Sequence, residues 1–267
     1  MDHPSISVAS YLKPGARKNL YSKRSLHLGM RFSSGIEGAP QGDMALTASN
    51  KSAWHAIGDR IAVITLWVNK TFSETGQVRL AGTDWRQEPD VDFNLLSDHR
   101  DLVRLTGGFR RIAALHDLPP LQAITADPFP ASFTDKIRKV GDVNLKNKLL
   151  TAVGARLLDG PAPLRRFMIQ NFIMDATGMD QALRDDDLLE TYIRYATVGV
   201  WHCSCSCRMG AEDDPMAVTD PAGRVRGTSG LRVVDASIFP MIPCANTNFP
   251  TMMVAEKIAD DMVRSGA

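Results

Sequence analysis

The sequence predicts an α+β fold: an antiparallel sheet with helices on one face, followed by a C-terminal strand and helix. Three observations carry this. Runs rich in β-branched and aromatic residues alternate with turn formers in the first third of the chain. From residue 97 onward, apolar residues recur at spacings of three and four. The tail places a short apolar run, a proline-rich turn and an amphipathic stretch in succession.

Taken in order, residues 6–12 make a short strand that Lys13-Pro14-Gly15 ends. Residues 16–30 are basic and loop-like, and turn formers dominate around Ser33-Ser34-Gly35 and residues 38–42. Ile61–Val68 has the composition of a central strand, and residues 77–81 continue as a second one. Ser97-Asp98 opens a helix. Leu102, Leu105, Phe109, Ile112 and Leu115 share one face of it, Asp98 is placed to cap it, and Pro119-Pro120 follow its end. Residues 120–150 are less regular, with Pro128 and Pro130 assigned to a loop, and helices are expected over residues 164–174 and 188–195. Residues 231–234 form an apolar strand ending at Asp235. A last helix starts near Pro250, a residue suited to a first helical turn. Its apolar stripe is Met252, Ala255, Ala259 and Met262, with Glu256, Lys257, Asp260 and Arg264 facing elsewhere.

With 267 residues, 44% hydrophobic and 23% charged, the chain can bury a core in one domain or two. A net charge of +1 without a basic run argues against a nucleic-acid partner. No uncharged apolar stretch reaches membrane-spanning length, and no apolar signal segment opens the chain, so a soluble, cytoplasmic protein is expected. Cys203, Cys205 and Cys207 alternate too tightly to pair with one another. With Cys244 they make no disulfide framework, which fits a reducing compartment.

Three blocks near the C-terminus carry the chemistry: residues 201–210, Trp201-His202-Cys203-Ser204-Cys205-Ser206-Cys207-Arg208-Met209-Gly210; residues 231–237; and residues 244–251, Cys244-Ala245-Asn246-Thr247-Asn248-Phe249-Pro250-Thr251. In this order they resemble the C-terminal signature of the glucose-methanol-choline (GMC) flavin oxidoreductases. Val200-Trp201-His202 together with the third block is most similar to the hydroxymethylfurfural and aryl-alcohol oxidase branch. Asp2-His3-Pro4 resembles the family's mid-chain Asp-His-Pro, which follows its flavin-binding half. Residues 76–80 resemble its G-x-V-x-L strand, and residues 93–98 the segment leading into a substrate-domain helix. The family's glycine-rich dinucleotide turn has no counterpart: Gly107-Gly108 sits inside a helical pattern with no preceding strand. The chain therefore resembles a C-terminal half. Residues 1–5 would be a remnant of the FAD-domain junction, 6–200 a substrate-binding domain, and 201–267 the catalytic motif with the C-terminal segment of the FAD domain.

The resemblance implies oxidation of a primary alcohol to an aldehyde with FAD. Holding FAD would need a Rossmann-type half that this chain does not contain, so a companion FAD-binding chain is an expected partner beside the small-molecule alcohol. Alcohol oxidation needs a base with a pKa near working pH, which favours histidine. His202 is that base, rather than a histidine satisfied in a core, and Asn246 holds the substrate oxygen, rather than serving only as a turn residue. Trp201 is a pocket wall beside the flavin or an ordinary core aromatic. Asp235 and Ala236 resemble residues beside the ribityl and pyrophosphate groups; Asp235 alone would be a strand-end turn residue. Asn248 and Thr251 resemble residues near the N1–C2=O edge of the ring, and Asn248 also suits a helix cap. The final helix would turn its positive end toward that edge.

A zinc or iron–sulfur site on His202, Cys203, Cys205 and Cys207 is weighed and set aside. The cysteine spacing is too short, and in a strand the thiols and His202 would face opposite ways. His3, His27, His55, His99 and His116 show no partner pattern and are taken as structural or surface residues. Asp186-Asp187 and Asp213-Asp214 are taken as solvated charges. The rival reading is a non-catalytic remnant or binding subunit that cannot hold FAD alone.

Overall fold

The computed structural model describes residues 1–17, 25–175 and 178–266. In chain order its strands are β1 (Pro4–Leu12), β2 (Leu26–Phe32), β3 (Met44–Ser49), β4 (Ile61–Val68), β5 (Gln77–Arg79), β6 (Asp90–Asp92), β7 (Thr125–Pro130) and β8 (Val198–Gly199). The helices are α1 (His99–Leu115), α2 (Pro119–Ile124), α3 (Asp135–Lys139), α4 (Leu145–Leu158), α5 (Ala162–Met168), α6 (Met179–Arg184), α7 (Asp186–Ala196) and α8 (Asn248–Ser265). A π-helical turn, Ile169–Ile173, continues α5.

The main sheet runs β2-β3-β4-β1-β7, with β8 also paired to β1, and its pairings are antiparallel. β5 and β6 form a separate antiparallel hairpin. Side chains alternate across a pleated strand. Ile6 and Val8 of β1, Met44 and Leu46 of β3, and Ile64, Leu66 and Val68 of β4 therefore share one face, and Leu102, Leu105, Phe109 and Ile112 of α1 close over them. Leu189 and Ile193 of α7 extend the same core. Gly108 lets α1 approach closely, since a Cβ there would stand 2.7 Å from the Leu66 side chain. The alternate residues Ala9, Tyr11 and Ile61 form a second, smaller core with Phe129, Ala155 and Leu158. The fold is thus antiparallel α+β as expected, with Asp98 accepting from the Arg100 amide as the N-cap of α1, but helices cover both faces of the sheet rather than one, since Ala155 and Leu158 of α4 pack on the second.

Four local expectations need correction. Part of the segment expected as basic loop is β2, an edge strand on β3; residues 18–24 lie outside the described residues. Pro128 and Pro130 lie in β7, not in a loop. β7 is an edge strand, where a missing N–H can face away from the ladder. Leu145, Leu149 and Leu150 of α4 are exposed, so the helix lacks a clean apolar stripe in sequence. Residues 231–234 form no strand: an isolated Arg224–Arg232 bridge joins them to residues 222–225, with the Val233 amide donating to the Gly223 carbonyl (2.9 Å), the Val225 amide to the Leu231 carbonyl (3.0 Å) and the Arg232 side chain to the Ala222 carbonyl (2.9 Å).

A buried ionic network ties α1 to two loops. Arg104 donates to Asp43 at 2.9 Å and also to Asp101, and all three side chains are fully enclosed. Asp101 accepts from Thr71 Oγ1 (2.6 Å) and from the Ser73 amide and hydroxyl (2.8 and 2.7 Å). Asp43 accepts from the Ser34 amide and hydroxyl (2.7 and 2.6 Å). Burial alone would push the Asp43 carboxyl up; Ser34 and Arg104 outweigh it and hold it below the usual carboxylate range.

Candidate active site

Strand register brings three distant segments to one end of the sheet. Ser5 pairs with Trp67, so His3 stands level with Asn69 just beyond β4. Pro4 pairs with Gly199, and the Val200 amide donates to the His3 carbonyl at 3.2 Å, so the chain leaving β8 enters Trp201-His202 beside His3. Met44 pairs with Val68, and the Asn69 amide donates to the Asp43 carbonyl at 2.7 Å.

His3 is fully buried, and its Nδ1 lies 2.9 Å from Nδ1 of half-buried His202. The rings meet edge to face, with centroids 5.1 Å apart. Nε2 of His3 lies 3.0 Å from the Pro243 carbonyl. Oδ1 of Asp2 accepts the amides of both His3 (2.7 Å) and His202 (2.9 Å). Burial, then the neighbouring His202, lower His3 to about 4, although the Pro243 and Asn69 backbone acceptors pull the other way. Burial also lowers His202, opposed by the Asp2 charge. Both imidazoles are neutral near pH 7.

The second segment is fastened to the same end of the sheet. Arg31 of β2 and Asn69 donate to the Cys244 carbonyl at 2.6 and 3.0 Å. With the His3–Pro243 bond, these fix the backbone two and three residues before Asn246. The structure thus brings the backbone flanking both expected catalytic residues together across His3. Asn246 is exposed and makes no side-chain hydrogen bond to a described residue.

Backbone strain brackets His202. Trp201 (φ 60°) and Cys205 (φ 71°) are two of four described non-glycine residues in the left-handed region. That conformation is costly for a bulky aromatic and persists only where the surroundings impose it. Trp201 is 90% exposed, so it is no part of this chain's own core. Asp235 is exposed and accepts from the Ser237 amide at 2.8 Å, capping the turn Ala236–Ile238. The Ala236 carbonyl accepts from the Cys205 amide at 3.2 Å, so this block packs on the His202 segment. The N-cap of α8 is Thr247, not Asn248, which is the first helical residue and exposed. The Thr251 hydroxyl donates back to the Thr247 carbonyl at 2.7 Å.

Sequence reasoning missed His3 and Asp2 as site residues. His3 is buried and hydrogen-bonded, within the expected structural reading, and its partners lie too far along the chain, 199 and 240 residues away, to leave a sequence pattern. The signal available was Asp2-His3-Pro4 itself. Asp2, His3 and His202 are a group whose ligand atoms lie within 4.8 Å, but Asp2 is spent on two amides and the imidazoles on each other. The His27 side chain lies outside the described residues. Burial raises the Cys203 and Cys205 thiols, the opposite of what a thiolate ligand needs. Asp186 pairs with Arg110 yet stays exposed, as expected of a solvated charge, whereas Asp214 is partly enclosed in its pair with Arg208.

A cleft of about 1020 Å³ opens between the β5–β6 hairpin and Cys203–Arg208, but neither His202 nor Asn246 lines it; hydrogen bonding, not cavity size, locates the candidate chemistry. Among the described residues no helix is long and apolar enough to cross a membrane.

The GMC oxidoreductase C-terminal profile matches residues 72–255. A 5-(hydroxymethyl)furfural oxidase from Methylovorus is 38% identical over 265 residues, 97% of this chain and 41% of that protein. An oxygen-dependent choline dehydrogenase from Vibrio vulnificus is 53% identical over 75 residues, 28% of this chain and 13% of its own length. Among solved structures, a formate oxidase variant from Aspergillus oryzae superposes with a TM-score of 0.68 at 16% identity, over 97% of this chain and 46% of that one. A pyridoxine 4-oxidase from Mesorbium loti gives 0.61 at 15% identity, over 99% and 43%. These structural likenesses establish the fold, and the chain spans less than half the length of each of these relatives. With the family profile covering most of its length, the chain belongs to the GMC oxidoreductases, of which it carries the C-terminal portion.

Proposed function

We propose that this chain is the substrate-binding and catalytic portion of an FAD-dependent oxidoreductase that converts a primary alcohol to an aldehyde. The single observation that supports it most is the fastening of the His202 and Asn246 segments to one sheet end through His3, Asn69 and Arg31.

The residues present fit the ring end of a flavin. Trp201 and Phe249 are exposed aromatics, and α8 starts without a side-chain cap on its first-turn donors. Such a helix end favours negative charge placed against it. Asn248 and Thr251 stand in that first turn, and Ala236, which follows Asp235, is hydrogen-bonded to the His202 block through the Cys205 amide. The dinucleotide end is a different matter. Gly107 and Gly108 are interior to α1, and among the described residues no parallel strand–turn–helix unit offers a pyrophosphate cradle. A companion FAD-binding segment would supply it. When bound, flavin accepts the hydride.

His202 takes the alcohol O–H proton, so that the carbon–oxygen double bond forms as hydride leaves carbon. Its depressed pKa keeps it neutral, hence able to accept a proton, near pH 7. Asn246, exposed and uncommitted among the described residues, holds the alcohol oxygen and orients the carbon. The aromatic exposure of Trp201 and the likeness to the furfural oxidase favour a flat aryl or furanic primary alcohol.

The test combines the purified chain, FAD and the FAD-binding half of the Methylovorus oxidase, then adds hydroxymethylfurfural without oxygen. Bleaching of the visible flavin band that needs this chain is the expected result. A flavin-loaded assembly that no primary alcohol bleaches, or no flavin uptake at all, overturns the proposal and favours a binding subunit.

A further inference from the structure

We infer that His3 is a positioning residue that fixes the tautomer of His202, leaving His202 Nε2 as the bare, basic nitrogen. The inference rests on the role of His202 proposed above and adds to it a residue that sets which nitrogen acts.

Two backbone carbonyls face the His3 ring, those of Pro243 and Asn69; the hydrogen bond to Pro243 sets the proton positions. A carbonyl oxygen only accepts, so the 3.0 Å contact to Pro243 places a proton on Nε2 of His3. A neutral imidazole carries one N–H, so Nδ1 of His3 is then a lone pair. The 2.9 Å contact between the two Nδ1 atoms needs one donor, which must be Nδ1–H of His202. His202 is left with a lone pair on Nε2. The order of donation is His202 Nδ1–H to His3 Nδ1, then His3 Nε2–H to the Pro243 carbonyl.

The alternative, a doubly protonated His3 donating to His202, reverses the tautomer and removes the base. Complete burial of His3 disfavours that charge, and Lys70 nearby disfavours it further. Asp2, the other charged group facing the pair, acts on His202 and is held by two amides. When His202 takes the alcohol proton on Nε2, its Nδ1–H bond to His3 persists, so the proton arrives without rearrangement of the pair. The same bonds join the two site segments, because His3 touches His202 on one side and Pro243 on the other.

Long-range proton–nitrogen NMR on histidine-labelled chain reads the tautomer without any cofactor. The expected wild-type result at neutral pH is a protonated Nδ1 and bare Nε2 on His202. His3→Ala is expected to lose that preference. His3→Gln keeps it, since the amide NH2 can donate to Pro243 and its oxygen can accept from His202. A wild-type His202 protonated on Nε2 overturns the inference, whether or not any variant folds; so does an unchanged tautomer in a folded His3→Ala. In the flavin-loaded assembly, His3→Ala is expected to lower kcat about 10- to 100-fold with KM little changed, the range seen when a supporting hydrogen bond is lost, and His3→Gln to restore most of it. Absent alcohol oxidation with an Nδ1-protonated His202 would sink the proposed function while leaving the tautomer assignment intact. The reverse pattern would sink only the assignment.

Discussion

Arg104 donates to Asp43 at 2.9 Å with both side chains wholly out of contact with solvent. The pair lies beneath the site, because the Asp43 carbonyl also receives the Asn69 amide, and Asn69 holds the Cys244 carbonyl. Removing one partner of a buried pair leaves an uncompensated charge, which costs about 3–5 kcal/mol. Arg104→Leu is expected to lose that much stability in urea titrations. A loss under about 1 kcal/mol would mean that the network adds little beyond packing.

Stability should fall as the solution is acidified from neutrality. His3, His55, His116 and His202 all have folded pKa values lowered by burial from the ordinary 6.5, His3 to about 4. The unfolded chain therefore binds more protons between pH 6.5 and 4, and stability rises with pH across that window. The advantage is complete above 6.5 and is lost as pH falls toward 4. Urea midpoints at pH 7.5 and pH 5 check this. The pH 5 midpoint should be lower, and the gap should narrow in His3→Gln. An equal or higher midpoint at pH 5 contradicts the assignment.

Gly223 has φ 74°, and a Cβ there would stand 2.6 Å from the Val233 carbonyl oxygen. The close approach positions the segment that ends at Asp235, and the only buried residue of α8, Ile258, packs against the same glycine. Gly223→Ala is expected to destabilise by about 1–3 kcal/mol and to expose α8 to proteolysis. Unchanged cleavage rates would show that this turn does not anchor the helix.

Much of the frame was legible in the sequence because its determinants are local. α1 announces itself through Asp98 and the Leu102, Leu105, Phe109, Ile112 spacing, and β4 through its β-branched run. α4 was not legible, since several of its leucines face solvent, and β7 was hidden by its two prolines. At the candidate site, His202 and Asn246 were proposed from the motif. The dependence of His202 on His3 was not, because no local pattern encodes a contact spanning 199 residues. Trp201 was ambiguous until its exposure was known.

That exposure separates folding from cofactor contact. Trp201→Ala is expected to move the urea midpoint by no more than about 0.5 kcal/mol equivalent, as at other surface positions. In the assembly with an FAD-binding half it is expected to reduce flavin retention. Retention equal to wild type would remove Trp201 from the proposed ring contact.

The most direct measurement is the anaerobic rate of flavin bleaching by a primary alcohol in assemblies carrying wild-type chain or His202→Ala. Loss of a positioned base lowers such rates about 10²- to 10⁴-fold. A fall of that size, with flavin content unchanged, is the predicted result. Equal rates in the two assemblies would contradict the assignment of His202 as the group that takes the alcohol proton.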